Sequence, residues 1–170
     1  MSEPSTSSVP EVDPDFSLGG FALWAHGRQF PTSLEFWDWN WLIVSARARA
    51  SGALVEVKGP ILHLTEFEAF ASALEKLNRA ASGTTRLDCM EPNLGLTVSC
   101  NATGHVDLVV SITPNHLDQM HRIRYSLDQT FLGPAVAACK RLMDRFPVLG
   151  APNERRSVEH TQRPLRSLAQ

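Results

Sequence analysis

Between residues 38 and 50 the even positions Leu42, Val44, Ala46, Ala48 and Ala50 are apolar, while Ser45, Arg47 and Arg49 alternate with them. This is the period-two pattern of a strand with one face in a core and the other towards water. Upstream, residues 16–24 and 29–36 read as strands, with Gly19-Gly20 as a bulge or bend and Ala25-His26-Gly27-Arg28 as a turn. Downstream, Ser51-Gly52 turns the chain into a strand at 54–57, and Gly59-Pro60 separates it from another at 61–64.

The pattern then changes period. Phe67, Phe70, Ala71, Leu74 and Leu77 recur at helical spacing behind Thr65-Glu66-Phe67-Glu68, the spacing of a capping box. A helix over 66–80, stopped by Gly83, is expected. Four more strands follow, at 86–90, 94–100, 105–112 and 122–127. A three-residue loop, Ala102-Thr103-Gly104, with Gly104 left-handed, fixes the register of the middle pair. It opposes Cys100 to Val106, Val98 to Leu108, Leu96 to Val110 and Leu94 to Ile112, so all eight apolar side chains share one face. A last helix over 134–146 carries Val136, Cys139, Met143 and Phe146 as its buried stripe, with Pro134 near its start and Pro147 beyond its end. The expected class is α+β: a mostly antiparallel sheet of about seven to eight strands, with two helices packed on one face.

Composition bounds the picture. At 170 residues the chain is long enough for one domain, expected at 16–149, between a leader (1–15) and an Arg- and Pro-containing tail (150–170) that lack periodic apolar positions and read as disordered. No apolar run reaches the ~18–20 residues of a membrane span. The first sixteen residues have neither a basic nor an apolar export region, so the expected compartment is the cytoplasm. Sixteen basic against eighteen acidic residues give a net charge of −2, which argues against general nucleic-acid binding. The three cysteines lack paired spacing and read as reduced and mostly buried.

Candidate chemistry is sparse. His105 and Asp107, and His116, Asp118 and His121, lack the spacing that aims ligands at one metal ion, and they read as solvated or structural. There is no nucleophile elbow, phosphate loop or dinucleotide fingerprint. No catalytic residue, metal site or cofactor is expected, and the chain reads as a non-enzymatic binding protein. The unusual feature is Phe36-Trp37-Asp38-Trp39-Asn40-Trp41. If the alternation runs unbroken, Trp37, Trp39 and Trp41 share an outer face with Arg47 and Arg49, a candidate partner-binding patch that could also support a homodimer. A bulge near Asn40, or a covering segment, would instead turn the tryptophans inward. The competing reading is a small-molecule-binding domain or enzyme with a pocket near Asp38 and the tryptophans.

Several elements in order carry a resemblance: Asp38-x-Asn40-Trp41-Leu42 opening a long strand, Thr65-Glu66 opening a helix, and Glu91-Pro92-x-Leu94 opening a meander. Asp128-x-x-x-Leu132 and Phe146-Pro147 then flank the last helix. Over residues 16–148 the chain resembles the WapI-like family of small bacterial immunity proteins. That resemblance implies a protein that binds and neutralises a cognate toxin domain. It carries over no catalytic residue, and implies that Asp38, Asn40, Trp41, Glu91 and Asp128 are fold determinants.

Overall fold

The computed structural model describes residues 12–152. The expected leader and tail lie outside the described residues, apart from 12–15 and 150–152. Among the described residues there are eight strands and two long helices, an α+β arrangement in which the strands form two four-stranded antiparallel sheets. Each sheet is a simple meander: β1 (Phe16–Leu18), β2 (Phe21–Arg28), β3 (Trp41–Ala50) and β4 (Ala53–His63) in the first, then β5 (Gly83–Asp88), β6 (Leu94–Cys100), β7 (His105–Ile112) and β8 (Arg122–Asp128) in the second. Helix α2 (Leu64–Ala80) separates the two in sequence, and α3 (Leu132–Arg145) follows β8 through a short 3-10 turn.

The apolar stripes meet in one core. Phe16, Phe21, Leu23, Leu42, Val44 and Ala46 of the first sheet, Leu96, Val98, Leu108 and Val110 of the second, Phe67, Phe70 and Leu74 of α2, and Leu132, Cys139 and Leu142 of α3 belong to a single buried cluster. Phe16, Phe67 and Phe70 pack ring to ring at 6.1–6.2 Å, which docks α2 on β1.

Local chemistry explains where strands begin and turn. Gly19 and Gly20 form a two-residue hairpin turn between β1 and β2, Leu18 pairing with Phe21 and Gly19 taking a φ of +56°. The expected turn at residues 25–28 is instead continuous β2, with a bulge between Ala25 and Gly27 that absorbs His26. Residues 53–63 form one strand rather than two, because the irregularity after Leu42 admits Ile61 as an extra residue, and Pro60 is tolerated on an edge strand. The β6–β7 pairing has the expected register, with Gly104 at φ +80°. Helix α2 begins at Leu64, two residues before the expected start, and ends on Ala81 in the left-handed conformation, leaving Gly83 to open β5.

The largest departure is at residues 29–40. The expected strand at 29–36 is absent, and Phe36–Trp39 form a single helical turn, α1. Ser33 fixes its entry, its hydroxyl accepting from the Glu35 amide at 3.1 Å and donating to Asp38 Oδ2 at 3.2 Å. Residues 12–15 are tied to β2: the Trp24 indole donates to the Val12 carbonyl at 2.7 Å, and Asp15 accepts from the Ala25 amide at 2.7 Å. From α3, Arg145 reaches Asp15 at 2.6 Å and the Ala25 carbonyl at 2.9 Å.

Candidate interaction site

The helical turn breaks the strand parity that would have aligned the tryptophans. With one residue per 100° of helix rather than alternation, Phe36 and Trp39 fall on one side and Trp37 on the other. Phe36 and Trp39 are buried (4% and 7% exposed), Trp37 is 52% exposed, and Trp41, the first residue of β3, is half-buried. The continuous face of Trp37, Trp39, Trp41, Arg47 and Arg49 is therefore not formed. Arg47 lies further along β3, paired with Glu56 at 2.6 Å and stacked over Trp24 at 5.4 Å, while Arg49 is exposed near the β3–β4 turn. Trp41 does keep the outer-face parity of Arg47 and Arg49 along β3, and on the neighbouring strand Trp24, paired with Ser45, lies on that face too, buried with its indole bonded to the Val12 carbonyl.

What holds Trp37 in place is His63, a residue the sequence reading left unremarked. Its imidazole is fully buried, with ring centroids 5.2 Å from Trp37, 5.1 Å from Trp41 and 6.3 Å from Phe36. Nε2 lies 3.1 Å from the Trp37 carbonyl, an acceptor only, so Nε2 carries the proton. Nδ1 then accepts from the Thr65 hydroxyl at 2.7 Å. The helix start is two residues upstream of the expected box: Glu66, not Glu68, reaches back to the His63 amide at 3.3 Å, and its other oxygen accepts from the Met90 amide at 2.8 Å. The spacing His63-x-x-Glu66 was present in the sequence beside Thr65-x-x-Glu68, and it is the one the fold uses.

Asn40 and Arg28 close the opposite side of the turn. The Asn40 amide donates to the Phe36 carbonyl at 2.7 Å and exchanges a reciprocal pair with Leu149, donating to its carbonyl at 3.0 Å and accepting from its amide at 2.9 Å. That side chain thereby plays the part of a neighbouring strand. Arg28 donates to the Trp39 carbonyl at 2.6 Å and to the Pro147 carbonyl. Burial lowers its pKa, though the guanidinium still carries its charge at any ordinary pH.

Burial sets the electrostatics. Desolvation lowers the His63 pKa below 6.5, the Trp37 carbonyl opposing it in part, and desolvation raises that of Glu66 above 4.5, opposed by the bonds from Met90 and His63 and reinforced by Glu91. A histidine whose folded pKa is depressed contributes stability that is complete above pH 6.5 and is lost as pH falls below that value. The expected result is a wild-type stability that declines below pH 6.5, with a shallower decline in His63→Gln. His26, lowered in the same direction, leaves a residual slope. Urea unfolding at a series of pH values measures both slopes; equal slopes in the two proteins would remove His63 from this role.

The other candidates are dispersed. Asp38 is exposed at α1, bonded to Ser33. Asp107 is held by a two-pronged contact from Arg124 at 2.8 and 3.0 Å, with His105 at 3.4 Å, and Arg124 depresses its pKa. Among the described residues no group of three or more His, Cys, Asp or Glu side chains could hold a metal ion. Cys100 and Cys139 are buried and Cys89 half-buried, all free thiols. Burial pushes the Cys139 pKa up to about 12, and burial with Glu66 and Asp88 pushes that of Cys89 higher still, so both stay protonated and unreactive at neutral pH. A groove of about 440 Å³ runs beneath the β7–β8 loop, lined in part by Pro92, Val109, His116, Met120 and Arg122.

Two consecutive antiparallel meanders sharing a core with two helices, and a buried histidine supporting an outward tryptophan, define a small α+β protein with an aromatic surface knob. Residues 16–147 match the sequence model described as the Immunity protein WapI-like family. The chain belongs to that family, and membership supports an immunity-protein role in general. No curated protein and no solved structure matches it.

Proposed function

We propose that this protein is a cytoplasmic, non-enzymatic immunity protein that binds a cognate bacterial toxin domain and neutralises it by occlusion. The observation that carries this reading within the family is Trp37, a large indole 52% exposed on a support of Phe36, His63 and Trp41. Tryptophan is enriched among residues that dominate binding energy, and a preorganised side chain loses little entropy on association. In this reading Trp37 makes the contact, and Trp39 and Trp41 hold the segment in place. Arg47 and Arg49 lie on another part of the first sheet and are left outside the primary contact.

The test is co-expression with the toxin domain encoded immediately upstream of the gene, scored by growth and by isolation of the purified pair. Restored growth together with a stable complex is the expected result. A toxin that remains lethal and forms no complex overturns the reading.

A further inference from the structure

Six of the ten large apolar side chains exposed among the described residues fall in only three connections: Phe30, Leu34 and Trp37 between β2 and β3, Met90 between β5 and β6, and Leu117 and Met120 between β7 and β8. Meander topology places these connections at one pole. Successive turns of a meander alternate ends, so β5–β6 and β7–β8 share an end of the second sheet, and β2–β3 lies opposite the β1–β2 turn in the first. The two sheets are aligned at that other end by Gly19, where an added Cβ would stand 3.1 Å from Leu127 of β8. Direct bonds then join the three connections. His63 links the Trp37 carbonyl to the start of α2, Glu66 links that start to Met90, and Asn93 donates to the Thr113 carbonyl at 2.7 Å while accepting from the Thr113 amide at 2.9 Å.

Among the described residues the charge of this pole is one-sided. Residues 29–40, 89–93 and 113–121 contain Glu35, Asp38, Glu91 and Asp118 but no lysine or arginine. Glu66 adds a further carboxylate at the start of α2. Among the described residues at the rim, Arg28 is committed to the Trp39 and Pro147 carbonyls and Arg122 is an exposed cation, with His116 and His121 beside it. Exposed apolar residues ringed by carboxylates complement a cationic protein surface with an apolar centre. They repel phosphate backbones and anionic lipid, and two copies of the pole would repel one another.

We infer that the pole formed by the β2–β3, β5–β6 and β7–β8 connections is the docking surface of this protein, and that its occupant is a basic face of the toxin domain. The inference rests on the immunity reading and deepens it by fixing the surface and the chemistry of the partner.

The experiment uses the full chain and the toxin domain encoded immediately upstream. Affinities are measured for the wild type, for Glu35→Lys with Glu91→Lys, for Trp37→Ala with Met120→Ala, and for two controls away from the pole, Ala102→Lys and Leu54→Ser. Both pole variants are expected to weaken binding by about 30-fold or more, and the controls to stay within about threefold of wild type. Wild-type affinity is also expected to fall between about 0.05 M and 0.5 M salt, a readout that needs no variant to fold. Absence of any wild-type complex overturns the immunity reading and this inference together. A tight wild-type complex that is insensitive to salt and to both pole variants overturns the inference alone. A free protein that dimerises, and is made monomeric by Trp37→Ala with Met120→Ala, also overturns it, because a second copy would then occupy the pole.

Discussion

Gly20→Ala is expected to destabilise the fold by about 3 kcal/mol or more. A methyl group at residue 20 would stand 2.3 Å from the Arg49 carbonyl oxygen and 2.4 Å from Tyr125 Cε1, both well inside contact distance. Neither neighbour can yield cheaply. The Arg49 oxygen belongs to β3, whose backbone is fixed here by the bond from the Arg49 amide to the Gly20 carbonyl at 2.9 Å. The Tyr125 ring comes from β8 and packs against the core, so moving it shifts the second sheet relative to the first. Gly59→Ala is the matched control, because its added methyl would meet Ile61 at an ordinary 3.6 Å and its backbone is not left-handed. Chemical denaturation of the two variants gives the comparison. A Gly20→Ala protein within about 1 kcal/mol of wild type would mean that the sheets do not approach at this turn.

Asn40→Ala is expected to cost about 3 kcal/mol. The side chain is fully buried, and its removal strands the Phe36 carbonyl and both backbone groups of Leu149. Asn40→Asp is not expected to rescue. A carboxylate keeps the contact with the Leu149 amide but cannot donate to the Phe36 and Leu149 carbonyls, and it turns negative oxygens towards them. Hydrogen exchange at the Leu149 amide, expected to be protected in wild type and fast in either variant, separates loss of this clasp from general loosening of the core.

These residues also mark the boundary of what the sequence made legible. The β6–β7 register followed from Gly104 and eight alternating apolar residues, because everything that decides it lies within 19 consecutive positions, Leu94 to Ile112. The amphipathic stripe of α2 was similarly local; its start differs from the expected one, where two overlapping box spacings competed and the buried His63 decided between them, and its stop falls on Ala81 rather than Gly83. The tryptophan segment was not local. Trp37, Trp39 and Trp41 have strand periodicity, yet Asn40 bonds to Leu149, 109 positions away, and Arg28 to Pro147, 119 positions away. Periodicity in a short window cannot register such partners, so the helical turn and the burial of Trp39 could not be read in advance. The division of the strands into two sheets was hidden for a related reason, since alternation along a strand does not say which neighbour it will pair with.

The meander topology has a consequence for how the chain acquires its shape. Every strand pairing lies between consecutive strands, so each sheet forms from a continuous stretch, 16–63 or 83–128, with little loop entropy to overcome. The long-range closure is the return of α3 to β1 and β2, where Arg145 meets Asp15 across a separation of 130 residues. Assembly is therefore expected to run as two quickly formed halves followed by a slower docking of α3, with the first half exposing an unsealed apolar face until the last helix has been synthesised.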